Sequence, residues 1–377
     1  MSGIHLFVPM LHRRDAVGEH TRALRDRLVA DGIECRVYID MPDPDTVEET
    51  LPYRDYESDA RLGDVLVYQM ATRSDMAAWL AARPEPVVVN YHSITPAEYF
   101  VPWNNWIARH QVAAAQDLAG LAPTAALGIG VSAFDAEELR LAGCPEVAVI
   151  PVANVRLPPP PPDPGALAAL ERQPGGPTWL SVGRLAPNKG HEDTIAALFV
   201  ARATSAPDAR LTIVGSPTEP NYSRALHRYV AELGLAGAVT FVSRLSDAEL
   251  SARYAAADVL VMLSRHEGFG VPLLEAMSHD VPVVAYAAGA IPDIVADAGV
   301  LLDDRAPRRV ADEIAALLAD DGRRGALVEA GHARPAALGL DRAASDLVAA
   351  LRGVAERVGR GPVGASVVAA PGAPLRP

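Results

Sequence analysis

Lysine is all but missing from this chain: of its 34 basic residues 33 are arginine, and Lys189 stands alone. Its richness in alanine and proline fits a high-GC coding bias that favours arginine wherever either cation serves. The one surviving ammonium is therefore expected to mark a place that a planar guanidinium fork would not fill, the alternative being a lysine that survived by chance. Cysteine is nearly as scarce. Cys35 and Cys144 are the only two, with no C-x-x-C and no Cys/His cluster at ligand spacing, so no metal site is expected and a reducing cytoplasm is. Long apolar runs are lacking too: the uncharged stretch 118–133 carries Pro123 and three glycines and is too short for a membrane span. The start has no basic leader before an apolar core, so no secretory signal is expected. Peripheral contact with a membrane surface stays open. Positive charge is in deficit, with a formal net charge of -13, which argues against nucleic acid as a partner, since phosphate backbones need a basic face.

What is present is a repeated alternation. Short apolar runs at 4–8, 35–39, 65–68, 87–90, 126–131 and 147–150 read as buried strands, with helical spacing at 19–30, 76–82, 103–119 and 133–141 between them. This βαβ series predicts a parallel sheet in a first domain, 1–150. Residues 151–166, with Pro151 and the run from Pro158 to Pro162, read as a linker. Strands then restart at 179–182, 210–214, 239–242, 259–263, 281–285 and 300–302, predicting a second domain, 167–340. A helix at 341–360 is expected to pack back on the first domain, and a Pro/Ala/Gly tail, 361–377, to be disordered. The fold class is α/β, two doubly wound Rossmann-like domains facing a cleft, with ligands at the carboxyl ends of the strands.

Two strings mimic cofactor motifs. Gly128-Ile-Gly-Val-Ser-Ala133 matches a dinucleotide fingerprint, but its glycines fall inside a strand and no acidic residue follows about twenty positions on. Gly183 to Lys189 resembles a P-loop, yet Asn188 replaces the glycine before the lysine and no Ser or Thr follows. No cofactor is expected.

The second string does end a strand at Gly183 and set Arg184 and Lys189 on a turn that opens a helix near His191, which makes an anion site. A solvated loop with incidental charges is the plain alternative. A second constellation follows the strand 259–263. Gly268 and Gly270 let backbone approach a ligand, and Pro272 suits a first helical turn. Glu267 and Glu275 stand at the two ends of that turn, spaced to accept hydroxyls from different parts of one polyol. Alternatively, Glu267 caps the helix and Glu275 faces solvent.

Together, Glu267-x7-Glu275 around Gly-Phe-Gly-Val-Pro, the Gly-Arg…Asn-Lys-Gly string, Pro282-Val-Val, Gly289…Pro292 and Asp297-Ala-Gly299 resemble family 4 of the retaining glycosyltransferases. The resemblance covers nearly all of 178–304. It is looser in the first half, through Gly18-Glu-His and Asn90-Tyr-His-Ser-Ile-Thr-Pro96. It implies a GT-B fold and transfer of a sugar from a UDP- or GDP-linked donor to an acceptor hydroxyl, without metal. It further implies that Arg184 and Lys189 bind the donor diphosphate, Glu275 the ribose, and Glu267 the transferred sugar, with backbone contacts from Gly183, Gly268, Phe269, Gly270 and Val271. Ser243, Arg244 and Leu245 would border the base, Gly18 would lie under the diphosphate, and His92 near the sugar. Tyr91, Trp103, Asn104 and Arg109 are acceptor-side candidates, although paired tryptophans on a helix are more often packing. Two departures stand out. A single Gly18 follows Ala16 and Val17 where the family has a glycine pair, and Asp280 stands where a glycine often ends the helix after Glu275. A nucleotide-sugar-binding module without transfer, or an epimerase or phosphorylase of the same architecture, are the alternatives.

Overall fold

The computed structural model describes residues 2–12, 15–155, 157–171 and 175–359. The expected tail, 361–377, lies outside them.

The first strand, β1 (Ile4–Val8), is buried at every position, as a strand must be when helices cover both faces of a parallel sheet. It pairs with β2 (Val37–Ile39), which carries a short edge strand, β3 (Leu51–Pro52), and on its other side with β4 (Val65–Met70). Then follow β5 (Val87–Tyr91), β6 (Leu127–Gly130) and β7 (Val147–Val149), giving the all-parallel order β3-β2-β1-β4-β5-β6-β7. The second sheet holds β8 (Thr178–Val182), β9 (Arg210–Val214), β10 (Val239–Val242), β11 (Val259–Met262), β12 (Val283–Tyr286) and β13 (Val300–Leu302), in the order β10-β9-β8-β11-β12-β13. Strand order reverses between β1 and β4 in one sheet and between β8 and β11 in the other. Crevices open at such reversals, and both loops singled out in the sequence follow β8 and β11.

The false dinucleotide glycines have a packing role. Gly130 ends β6, and a Cβ there would stand 2.3 Å from the amide of Ala136, so its absence lets the helix Ala133–Leu141 close on the sheet. Where the prolines were read as a linker up to 166, a helix, Pro164–Glu171, already begins. Proline suits a first turn, and the Asp163 carboxylate accepts the Ala166 amide at 2.7 Å. Upstream, Ser251 Oγ donates to the Pro160 carbonyl at 2.6 Å, tying the proline run to the second domain. The helix read at 103–119 is Asn105–Leu121, displaced because Asn104 caps it. The helix Ala343–Gly359 returns to the first domain, where Leu347, Val348, Leu351 and Val354 pack among Ile4, Leu24 and Leu28.

Candidate functional site

After β8 the chain passes Gly183 and Arg184, makes one tight turn over Pro187–Lys189, and enters the helix His191–Thr204 through Gly190, whose φ of 65° is left-handed. A Cβ on Gly190 would lie 2.3 Å from the Leu263 carbonyl, so this loop and the one after β11 touch backbone to backbone. Asn188, which departs from a P-loop and belongs to the Asn-Lys-Gly string, stitches them: its carbonyl accepts the Arg265 amide at 2.7 Å, and its side chain donates to the His266 carbonyl at 3.3 Å. His191 braces the turn by donating from Nε2 to the Arg184 carbonyl at 3.1 Å, and its burial pulls its pKa down to about 4. Arg184 itself is exposed and has no carboxylate partner among the described residues.

The second loop runs from β11 to Gly270, at φ 94°, which starts the helix Val271–Ser278. Here the structure brings together what sequence separation hid. Lys189 Nζ stands 2.5 Å from Glu267 Oε2, with the two side chains only 14% and 12% exposed. The Glu267 carbonyl accepts the Ala290 amide at 2.9 Å, and a Cβ on Gly289 would fall 2.3 Å from that same oxygen, so Gly289 exists to let the strap after β12 support Glu267. Glu275 is held by Tyr254, whose hydroxyl donates to Oε2 at 2.7 Å. The Phe269 side chain is buried in the second domain's core, so only its backbone faces the loop. After the edge strand β10, Ser243 and Arg244 are exposed and Leu245 packs inward. Asp280 does take the left-handed turn, at φ 59°, with its carboxylate accepting from His332 Nε2 at 2.6 Å.

Across the cleft, His92 follows β5, its Nε2 lying 2.7 Å from Gln69 Oε1. Ser93 Oγ lies 2.9 Å from His266 Nε2, and Tyr99 donates to the Arg265 carbonyl at 3.2 Å, so the two domains meet at this site. Behind Ser93, Asp135 is fully buried, and a Cβ on Gly268 would stand 3.1 Å from its Oδ2. Burial first, then the charge of Glu138, pushes the Asp135 pKa up to about 8. Sequence patterning had no signal for Asp135 or Gln69, and Ser93 entered only as part of the string from Asn90 to Pro96.

The fold matches that of the sucrose-phosphate synthase of Thermosynechococcus elongatus, a GT-B glycosyltransferase. The TM-score is 0.75 at 22% identity, covering 94% of this chain and 99% of that one. A model of the family "Glycosyl transferases group 1" matches residues 167–334. The D-inositol 3-phosphate glycosyltransferase of Corynebacterium glutamicum is 37% identical over 151 residues, 38% of this chain, which spans only 35% of that relative's length. The D-inositol 3-phosphate glycosyltransferase of Xylanimonas cellulosilytica is 31% identical over 298 residues, 73% of this chain and 68% of its own. The chain belongs to the group 1 glycosyl transferases.

In this group 1 glycosyl transferase several acceptor-side candidates have other work. Tyr91 is buried, its hydroxyl donating to Glu138 at 3.0 Å while accepting the Ile94 amide at 2.9 Å, so it offers nothing to a ligand. Asn104 spends its side-chain oxygen on the Trp106 and Ile107 amides as a helix cap. Trp103 packs edge-on against Tyr222 of the second domain, with ring centres 5.1 Å apart. Arg109 stays exposed on the helix Asn105–Leu121. Gly18 lies inside the helix Ala16–Ala30, where its amide is taken by the Asp15 carboxylate at 3.2 Å and a Cβ would meet the His12 carbonyl at 2.5 Å. Its smallness serves packing, and its amide is not turned to a phosphate. Among the described residues no three His, Cys, Asp or Glu side chains are grouped to hold a metal ion, and no helix is long and apolar enough to cross a membrane.

Proposed function

We propose that this chain is a retaining, metal-independent transferase of family 4, moving a sugar from a UDP- or GDP-linked donor to an acceptor hydroxyl. The observation that supports this most is the Lys189–Glu267 pair beside the exposed Arg184, where the helices His191–Thr204 and Val271–Ser278 begin. Arg184, Lys189 and the first amides of Val271–Ser278 take up the charge that grows on the departing diphosphate, stabilisation by groups already in place before the bond breaks. Glu267 accepts hydroxyls of the transferred sugar, and Glu275, oriented by Tyr254, those of the ribose. The acceptor oxygen bonds to the anomeric carbon on the face from which the diphosphate leaves, the bond from that carbon to the phosphate oxygen breaks, and the acceptor proton passes to the departing phosphate. Configuration is retained, and no enzyme nucleophile is required. Cys35 and Cys144 are both free thiols, which supports a cytoplasmic setting. The names of the inositol 3-phosphate relatives make a phosphorylated polyol the first acceptor to try.

The test mixes UDP- and GDP-sugars with inositol 3-phosphate and other polyols in EDTA, following nucleoside diphosphate release and the product's anomeric signal. Acceptor-dependent release with retention is expected to survive chelation, because fixed cations fill the role of a metal. Full loss restored by Mg²⁺ or Mn²⁺ would reject the roles of Arg184 and Lys189. Donor conversion without nucleotide release would indicate an epimerase, and binding without turnover a binding module.

A further inference from the structure

Beneath the cleft of the first domain lies a buried polar array that the transfer chemistry above does not use. His20, Asn90 and Gln69 are all buried, on the helix Ala16–Ala30 and on β5 and β4. The Ala153 amide donates to His20 Nδ1 at 3.0 Å. The Asn90 side-chain amide lies 2.8 Å from His20 Nε2 and 3.0 Å from the Gln69 amide, which in turn lies 2.7 Å from His92 Nε2. The array ends at His92, whose ring meets that of His20 edge-on at 5.0 Å.

Proton positions follow by elimination from the one bond whose direction is certain. A backbone amide only donates, so His20 Nδ1 accepts, and a neutral His20 carries its proton on Nε2. That proton needs an acceptor, so Asn90 must turn its oxygen to His20. Amide oxygen and nitrogen are assigned from their neighbours in this way. With Asn90 turned, an oxygen of Gln69 facing it would be repelled, so Gln69 must turn its nitrogen. The nitrogen of Gln69 then donates both to Asn90 and to His92 Nε2, which must be the unprotonated atom of that ring. The turned amides leave two buried amide atoms unpartnered as before; what they remove is the meeting of two donors at His20. Burial keeps both rings uncharged: it pulls His20 down to about 4 and His92 well below its ordinary 6.5, with His20 adding to the effect on His92.

We propose that this array fixes His92 as its Nδ1–H tautomer, making it a hydrogen-bond donor to a ligand oxygen in the cleft rather than a general base, with Gln69 as the positioning residue. This rests on the transferase reading for the identity of that oxygen, a hydroxyl of the donor sugar or the acceptor, but not for the tautomer. An imidazole with Nε2 spent on a donor has no lone pair left to take an acceptor's proton, so proton removal falls to the leaving phosphate.

The tautomer is read directly from nitrogen chemical shifts of the full chain labelled with ¹⁵N-histidine, with His92 assigned by its loss in His92→Gln. The expected result is a pyridine-like Nε2 and a pyrrole-like Nδ1 that do not titrate between about pH 6 and 8, where an unperturbed imidazole does. A proton on Nε2, or titration near the ordinary value, overturns the proposal. In Gln69→Glu, a carboxylate against Nε2 demands a proton there, so the ring should switch tautomer and its pKa should rise. An unchanged Nδ1–H signature in that variant would overturn the role of Gln69. Neither measurement needs turnover, so a failure here is distinct from a failure of the transferase assignment.

Discussion

Lys189 does more than carry charge. Its stem runs across Gly183, with Cδ 3.6 Å from where a Cβ of that glycine would be, and its ammonium ends on Glu267. A compact cation on a thin stem fits that path, whereas a guanidinium is planar and broad. Lys189→Ala is expected to lower kcat by on the order of 10² or more, as loss of one preorganised donor does. Lys189→Arg should recover little of it. Steady-state rates at saturating donor decide the matter: near-normal kcat in Lys189→Arg would show that charge alone is required. The scarcity of lysine was legible in the sequence. Its partner was not, because residues 189 and 267 meet only when β8 and β11 lie side by side, and that adjacency is a property of the sheet.

At the scale of elements, the two site loops are held by backbone contacts that leave no room for side chains. Gly190 and Gly234 compare this demand with conformation alone, since both are left-handed, at φ 65° and 68°. A Cβ on Gly234 meets nothing within 4 Å, whereas one on Gly190 meets the Leu263 carbonyl at 2.3 Å. Gly234→Ala should therefore cost about 1–2 kcal/mol, the price of a left-handed residue. Gly190→Ala should cost well beyond that, about 4 kcal/mol or more, because the β11 loop must move as well. Urea unfolding midpoints measure both, and equal losses would mean that the loops are not locked together. Periodicity placed every strand but the short edge strand β3, and the longer helices of the first domain, because burial on one face repeats along the chain. It missed the helix at Pro164–Glu171, whose cap and first-turn proline look like linker residues until the segment packs against the helix Asp247–Ala255.

For the molecule as a whole, the meeting of the domains buries Asp135, which faces Ser93, Gly268 and Glu267 and shares its helix with Glu138. Folding raises its pKa from 3.8 to about 8. Between these values the folded state keeps a proton that the unfolded chain has lost, so stability is full below the lower value and falls as pH rises through the upper one. Asp135→Asn removes this dependence. It should melt several degrees above the parent at a pH above about 8, where an ionised carboxylate is buried in the parent, and the two should converge as pH falls. Melting curves across pH check this; parallel curves for parent and variant would mean that Asp135 ionises without penalty.

The sequence by itself determined the class of this protein: alternating apolar runs made two parallel sheets, and glycines, carboxylates and cations spaced after two strands marked the candidate site. Those signals are local, a few residues on one strand and the loop that follows it. Only the tertiary structure decided which side chains meet and which are already occupied. It joined Lys189 to Glu267, gave Tyr254 to Glu275, withdrew Tyr91, the side-chain oxygen of Asn104 and the Gly18 amide, and set Gln69 against His92. The physical reason is that a hydrogen-bonding group has few bonds to give, and which neighbour claims them depends on distances between residues far apart in the chain, to which no periodicity is sensitive.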